Sequence, residues 1–226
     1  MANRSDVLSV IPSNLSVIEL CSCDLQLSKL IKVIGELEMK LGKDYFKALA
    51  KSIISQQLSP KAANTIYSRF EILLNKDISP TSIKEMADEQ LRNVGVSKQK
   101  ISYLRDLSDK FSGGEVNLEN IDELDNEQII ETLTNIKGIG KWTAEMFLIF
   151  SLGRKDVLPL DDVGLQRAFR WLYSLSKDED VKLAFQEKAY AWGENTTIAC
   201  LYLWEAVNRD FIVKYETIDS LYSDMK

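Results

Sequence analysis

Residues 135–143, N-I-K-G-I-G-K-W-T, constrain the fold more than any other stretch, because Gly138 and Gly140 flank a single apolar residue between two runs with helical spacing. Upstream, residues 127–136 carry apolar side chains at Ile129, Ile130, Leu133 and Ile136, which predicts a helix. Asp125 or Asn126 is placed to be its N-cap. Downstream, Trp142, Ala144, Phe147, Leu148 and Phe150 predict a second helix. The two glycines allow positive φ angles and a close backbone approach by a ligand. The second helix opens with N–H groups that have no intrahelical partner and with a partial positive charge, so a phosphate can dock there without any arginine. Lys137 and Lys141 add charge nearby. From the glycines alone a plain corner between helices is the better reading, since glycine ends many helices.

The remainder also reads as helix. Residues 44–55 place Phe46, Leu49, Ile53 and Ile54 on one stripe, and Ser59-Pro60 is an N-cap followed by proline at the first helical position. That second helix carries Ala62, Ile66, Phe70, Leu73 and Leu74. Further helices are expected over 81–93 (ending at Gly95), 97–111, 181–192 and 197–211, with Ser112-Gly113-Gly114 as the clearest loop. No alternating segment is long enough for a sheet, and no repeat or low-complexity tract is present. The expected class is all-α. A helix after Asp161-Asp162 shows an apolar face at Leu165, Ala168, Phe169 and Leu172, and either aspartate suits its N-cap.

Composition narrows the chemistry. With 226 residues, 45% of them hydrophobic, the chain can bury a substantial core. It contains no histidine, which excludes histidine catalysis and His-ligated metal sites. Cys21, Cys23 and Cys200 do not form a disulfide framework, and a reducing cytoplasm is expected. No apolar stretch approaches a membrane span and no secretory signal pattern opens the chain. The net charge of −6 is unlike the basic footprint usual for DNA binders. The distribution is uneven, however. Residues 51–69 hold three basic and no acidic side chains, and residues 132–155 hold Lys137, Lys141, Arg154 and Lys155 against Glu145 alone. Acids concentrate in 122–131, 178–180 and after Glu205.

The string Leu133-x-x-Ile136-Lys137-Gly138-Ile139-Gly140-Lys141-Trp142-Thr143-Ala144, followed by Leu158-Pro159-x-Asp161-Asp162-x-Gly164, resembles the helix-hairpin-helix, Gly/Pro-rich loop and aspartate signature of DNA glycosylases. Within that superfamily it is most similar to the alkylated-base branch, the 3-methyladenine DNA glycosylase II type. A second block, Ile54 to Ala63 (I-S-Q-Q-L-S-P-K-A-A), resembles the same family upstream. Together the likeness spans roughly residues 45–205.

The resemblance implies two helical lobes with an active-site cleft between them. Residues 45–150 would form the central lobe, with the helix-hairpin-helix over about 127–150, and residues 1–44 plus 151–226 the other. It implies action on double-stranded DNA with damaged bases; a monomer is expected, in the cytoplasm and without membrane association. Asp162 matches the catalytic aspartate, leaving Asp161 to cap or face solvent. Trp142 stands where lyase-type relatives carry a lysine nucleophile, so the implied enzyme releases the base without cutting the strand. Trp142 also lines the base pocket in the family, Met146 takes the place of a second aromatic four positions on, and Asn195 stands where a pocket aromatic would. The tryptophan spacing Trp192 to Trp204 is kept there, while the proline, aromatic, arginine and serine between them are not. Tyr173, Tyr190 and Tyr202 are candidate substitutes.

Gln57 matches the wedge that fills the gap left by a flipped base, beside Leu58, while Gln56 is expected to satisfy a turn carbonyl. Ser59, Lys61, Lys137, Gly138, Ile139, Gly140, Lys141 and Thr143 complete the implied DNA contacts. No cofactor is expected: the four-cysteine loop of the iron–sulfur branch is absent, although hairpin carbonyls hold a monovalent cation in some relatives. The implied reaction is hydrolytic release of 3-methyladenine or 7-methylguanine. A glycosylase for deaminated or mismatched bases and a non-catalytic helix-hairpin-helix DNA-binding protein are the alternatives.

Overall fold

The computed structural model describes residues 7–117 and 121–225. Elements run in the order β1 (Val7–Val10), α1 (Leu15–Cys23), α2 (Leu25–Ile34), β2 (Leu37–Lys40), α3 (Tyr45–Ser55), α4 (Pro60–Leu73), α5 (Pro80–Glu85), α6 (Asp88–Asn93), α7 (Lys98–Ser112) and α8 (Asn126–Thr134). They continue with α9 (Lys141–Phe150), α10 (Val163–Leu172), α11 (Val181–Trp192), α12 (Thr196–Asn208), α13 (Phe211–Lys214) and α14 (Ile218–Asp224). The fold is helical, as expected. It divides into two compact units, Gly42–Leu152 and the two ends, Met1–Leu41 with Gly153–Lys226.

Helix starts follow their sequence signals. Asp44 accepts from Lys47 N at 3.0 Å, Asp125 from Gln128 N at 2.8 Å, and Asp180 from Leu183 N at 3.2 Å. Gln128 returns the bond to Asp125 N at 3.0 Å, closing a capping box. Ser59 caps α4 ahead of Pro60, and Ser97 caps α7. Each such cap stabilises its helix by about 1 kcal/mol.

Three expectations are corrected. The helix expected over 81–93 is two helices, α5 and α6, because Met86 and Ala87 are extended. The Arg105 guanidinium, reaching over from α7, takes the carbonyls of Ile83 and Met86 and the carboxylate of Asp88, satisfying the groups that the break exposes. The helix expected to reach residue 211 stops at Asn208, and Asp210 turns the chain with φ +58° before α13. A small sheet exists: β1 and β2 pair antiparallel with Val7 opposite Lys40 and Val10 opposite Leu37. Four residues per strand give too short an alternation to register as a strand pattern.

The core of the 42–152 unit is built on α3, whose Leu49, Ala50, Ile53 and Ile54 are buried. It packs on α4, α7 and α9, while α8 packs on α9. In the other unit α10 packs on α12, and Phe169 stacks on Phe185 with centroids 4.4 Å apart. Trp192 meets both rings edge-on.

Candidate nucleic-acid interface and catalytic carboxylate

The hairpin between α8 and α9 is held by its own backbone and by α7. Ile136 N–H donates to Leu133 O at 3.1 Å and Ile139 N–H to Ile136 O at 3.0 Å. Ile136 and Ile139 are buried, so their side chains anchor the turn and Ile139 can offer a ligand only main-chain atoms. Gly138 has φ +83°, and a Cβ there would lie 2.1 Å from the Tyr103 ring. No other residue fits. Gly140 is the N-cap of α9 and faces open space. It brings no capping side chain, and the first turn of α9 has no acid. Such a helix start favours an anion.

Asp106 on α7 fixes the hairpin from the other side. Its carboxylate accepts from Lys137 N–H at 2.8 Å and pairs with Lys110 Nζ at 3.1 Å and Lys137 Nζ at 3.5 Å. Burial alone would raise its pKa. The Lys137 N–H and the two ammonium groups outweigh burial and hold the carboxyl below its ordinary value. Lys141 in turn lies 3.8 Å from the buried Glu145. Both hairpin lysines are exposed at their tips yet each has an acidic neighbour. The local basic excess in the sequence is therefore partly cancelled by Asp106, which lies outside the counted window.

The turn between α3 and α4 sits against this hairpin. Gln56 Nε2 donates to Gly138 O at 2.7 Å, the carbonyl bond expected of that side chain. Lys100 Nζ, from the first turn of α7, donates to Ile54 O and Gln56 O, both at 2.8 Å. Burial lowers the Lys100 pKa. Gln57 is exposed and has φ +56°, a left-handed conformation that costs a residue with a Cβ about 1–2 kcal/mol. Leu58 is half-buried, Ser59 is engaged as the α4 cap, and Lys61 is exposed.

On α9, Trp142 is 46% exposed and is not core. Met146 is half-buried one turn further on and, with the buried Thr143, lines an apolar cavity of about 320 Å³ that also touches Ser52, Ser55 and Phe147. Thr143 reaches that cavity rather than the surface. A monovalent cation at the hairpin would have to share carbonyls already accepting bonds, those of Ile136 and Gly138, through their second lone pairs.

In the other unit, Asp162 is the N-cap of α10, its Oδ1 accepting from Leu165 N at 2.8 Å. The loop before it is tightened by Asp162 N–H to Pro159 O at 3.1 Å and by Gln166 Nε2 to Leu160 O at 2.6 Å. A Cβ on Gly164 would come within 3.1 Å of Asp162 Oδ1, so that glycine leaves room for the carboxylate. Asp161 does not cap: it is exposed and pairs with Lys182 at 2.5 Å.

Residues 50–192 match the model of the HhH-GPD superfamily of base excision DNA repair proteins. The chain belongs to that superfamily. It is 36% identical over 194 residues to DNA-3-methyladenine glycosylase 1 of Schizosaccharomyces pombe, covering 83% of this chain and 85% of that one. A DNA-3-methyladenine glycosidase from Bacillus halodurans has a similar structure, with a TM-score of 0.87, 39% identity and coverage of 95% and 98%. The S. pombe 3-methyladenine DNA glycosylase in complex with abasic DNA gives a TM-score of 0.75 at 33% identity, covering 86% and 97%.

For this HhH-GPD protein the sequence left the pocket aromatics open, and the candidate residues differ in their surroundings. Asn195 lies in the end-segment unit and donates to Glu19 Oε2 at 2.8 Å, beside an open cavity of about 730 Å³ that includes Ser16, Lys155 and Trp192. Tyr202 is core, with its hydroxyl on Gly35 O at 3.0 Å, and Tyr190 is 93% exposed. Tyr173 donates to Asp24 Oδ2 at 2.6 Å, joined there by Trp192 Nε1 at 3.0 Å and Lys188 Nζ at 3.2 Å. Asp24, a wholly buried carboxylate, was invisible as a hub in the sequence; only its place before α2 hinted at a cap. Lys100, Tyr103 and Asp106 were missed too, although their spacing puts them on one side of α7. Among the described residues no cluster of His, Cys, Asp or Glu could hold a metal ion, and no helix is long and apolar enough to cross a membrane.

Proposed function

We propose that this DNA glycosylase is monofunctional, hydrolysing the N-glycosidic bond of flipped-out alkylated purines such as 3-methyladenine and 7-methylguanine and leaving the strand uncut. The observation that carries this reading is the carboxylate of Asp162, fixed at the head of α10 by Leu165 N–H with Gly164 making room for it. Alkylation puts positive charge on the purine, so the base departs as a neutral molecule with the glycosidic electron pair. The sugar left behind is oxocarbenium-like. A fixed carboxylate stabilises that cation and orients the water whose oxygen bonds to C1′, its proton passing to solvent. Because the alkylated base is already cationic before the bond breaks, it leaves neutral without protonation and no general acid is required, which suits a chain without histidine.

Binding has separate supports. The hairpin offers main-chain N–H groups and the start of α9 to the DNA backbone, with Lys137 and Lys141 exposed beside it. Gln57 is placed to fill the space of an extruded base. Trp142 offers a half-exposed indole to a cationic base, an interaction of about 0.5–2 kcal/mol. It also replaces the amine that a lyase would use to form a Schiff base. The names of the related 3-methyladenine enzymes support the lesion class.

The test is base release from methylated duplex DNA by wild type and Asp162→Asn. Asparagine caps a helix as well as aspartate does, so the substitution removes the charge and keeps the fold. The wild type is expected to liberate 3-methyladenine or 7-methylguanine, with strands intact until alkali is added. Asp162→Asn should bind lesion DNA and release nothing. Turnover near the wild-type rate by this variant would overturn the catalytic assignment, and strand cleavage without alkali would overturn the monofunctional one.

A further inference from the structure

Helix α7 contacts both DNA-facing elements of its unit without belonging to either. Lys100 holds the carbonyls of Ile54 and Gln56, Tyr103 lies against Gly138, and Asp106 holds the N–H of Lys137. Positions 100, 103 and 106 follow helical spacing, so a single stripe of α7 reaches from the Gln57 turn to the hairpin. Gln56 closes the connection by bonding Gly138 O. Gln57, at the centre of this arrangement, keeps a left-handed backbone that glycine or asparagine would adopt more readily. A strained, exposed residue persists where its surroundings over-determine it, and such strain collects at functional positions. Here the surroundings are specific. The ammonium of Lys100 neutralises the carbonyl end of α3 immediately before Gln57.

Resting on the glycosylase reading, we infer that Lys100 is a positioning residue for base flipping: it locks the Gln57 turn in its left-handed conformation and, with Gln56, sets that turn in fixed register with the phosphate-binding hairpin. Lys100 touches neither base nor sugar in this role. Without it the Gln57 turn relaxes to an ordinary backbone conformation, and the protein must regain the strained one each time a base is extruded. The penalty falls on extrusion and spares the bond-breaking step.

Single-turnover release of 7-methylguanine separates the two steps. One duplex pairs the lesion with cytosine; the second carries it in a bulge, where it is already unstacked. Lys100→Met keeps the length of the side chain and removes its donors. It should slow release from the paired lesion about five- to thirtyfold, the population cost of a left-handed residue. Release from the bulged lesion should stay within about twofold of wild type, because unstacking is already complete. Lys100→Arg, which restores charge and donors, should recover most of the paired-duplex rate. A fluorescent 2-aminopurine beside the paired lesion should show slower extrusion in Lys100→Met alone. Equal loss on both duplexes, or no loss on the paired one, would overturn the inference while leaving the glycosylase intact. Release from neither duplex by wild type would sink both.

Discussion

The two hairpin glycines make opposite predictions, and comparing them tests the local geometry directly. At Gly138 an alanine methyl would stand 2.1 Å from the Tyr103 ring on a backbone with φ +83°. The left-handed conformation costs about 1–2 kcal/mol and the overlap a further 1–3 kcal/mol or so. Gly138→Ala should therefore lower the free energy of unfolding by about 2–5 kcal/mol. At Gly140 the same methyl meets nothing within 4 Å, and the only structural cost is replacing glycine by alanine at an N-cap, under about 1 kcal/mol. Its effect should appear on DNA instead. If the hairpin N–H groups bond a phosphate, blocking one charge-assisted contact of about 1.5–3 kcal/mol weakens binding roughly ten- to hundredfold. The loss should be equal on damaged and undamaged duplex. Urea unfolding and fluorescence-anisotropy titration measure the two quantities separately. Adding Tyr103→Ala to Gly138→Ala should recover the overlap part of the lost stability but not the conformational part, a coupling of about 1–3 kcal/mol. Unchanged DNA affinity in Gly140→Ala would refute the hairpin as a phosphate site. Additive effects of the Gly138 and Tyr103 substitutions would refute the packing on which it is built.

Trp142→Ala should weaken binding to 7-methylguanine duplex by up to about 2 kcal/mol more than binding to intact duplex; equal losses in the same titration would mean that the indole serves packing. Asp24→Asn should destabilise the fold by about 2–4 kcal/mol, since an amide placed among the Tyr173 and Trp192 donors and Lys188 cannot satisfy all of them. Burial opposes ionisation of Asp24, but the hydrogen bonds from Tyr173, Leu27 N–H and Trp192 and the Lys188 charge win, and the carboxyl is held below its ordinary value. A depressed folded pKa gives stability that is complete above the unfolded value of about 4 and is lost as pH falls through the folded one. Urea midpoints of wild type and Asp24→Asn should accordingly differ at pH 7 and converge below about pH 4; a constant gap would exclude the carboxylate as the cause. Finally, log affinity for DNA should fall with log salt at a slope of only about −2 to −3, because few lysines near the hairpin stand without an acidic neighbour. A slope near −6 would place the main contact surface elsewhere.

What the sequence revealed and what it hid divide along the range of the interactions. The caps at Asp44, Ser59, Ser97, Asp125 and Asp180 lie within four residues of the groups they bond; Ser59 was legible as a start signal, and Asp125 as one of two candidates beside Asn126. The hairpin was legible only through the longer string from Leu133 to Gly164 that resembles the family signature, since the two glycines by themselves suit a plain corner. The break at Met86-Ala87 was not, since helix periodicity runs through it and the group that stabilises the break, Arg105, arrives from another helix. Asp162 marks the boundary. Sequence allowed either aspartate as the cap, and only the fold assigns the cap to Asp162 and pairs Asp161 with Lys182.

The same distinction explains how an acidic chain can still present a surface to DNA. Net charge counts every side chain, whereas the groups positioned at the hairpin are mostly main-chain: the opening of α9 beyond Gly140 and the turn that Gly138 and the buried Ile139 create. Neutral N–H groups at a helix start carry their partial charge whatever the sum of lysines and glutamates. Asp106 illustrates the point. Added to the charge count it argues against an anion, yet by accepting the Lys137 N–H it holds in place the backbone that would receive one. A carboxylate one helix away strengthens an anion site when its role is geometric. Recognition through a fixed backbone of this kind would tolerate a net charge of −6, and it would concentrate the sensitivity to mutation at Gly138, Gly140 and the α7 residues behind them, away from the lysines.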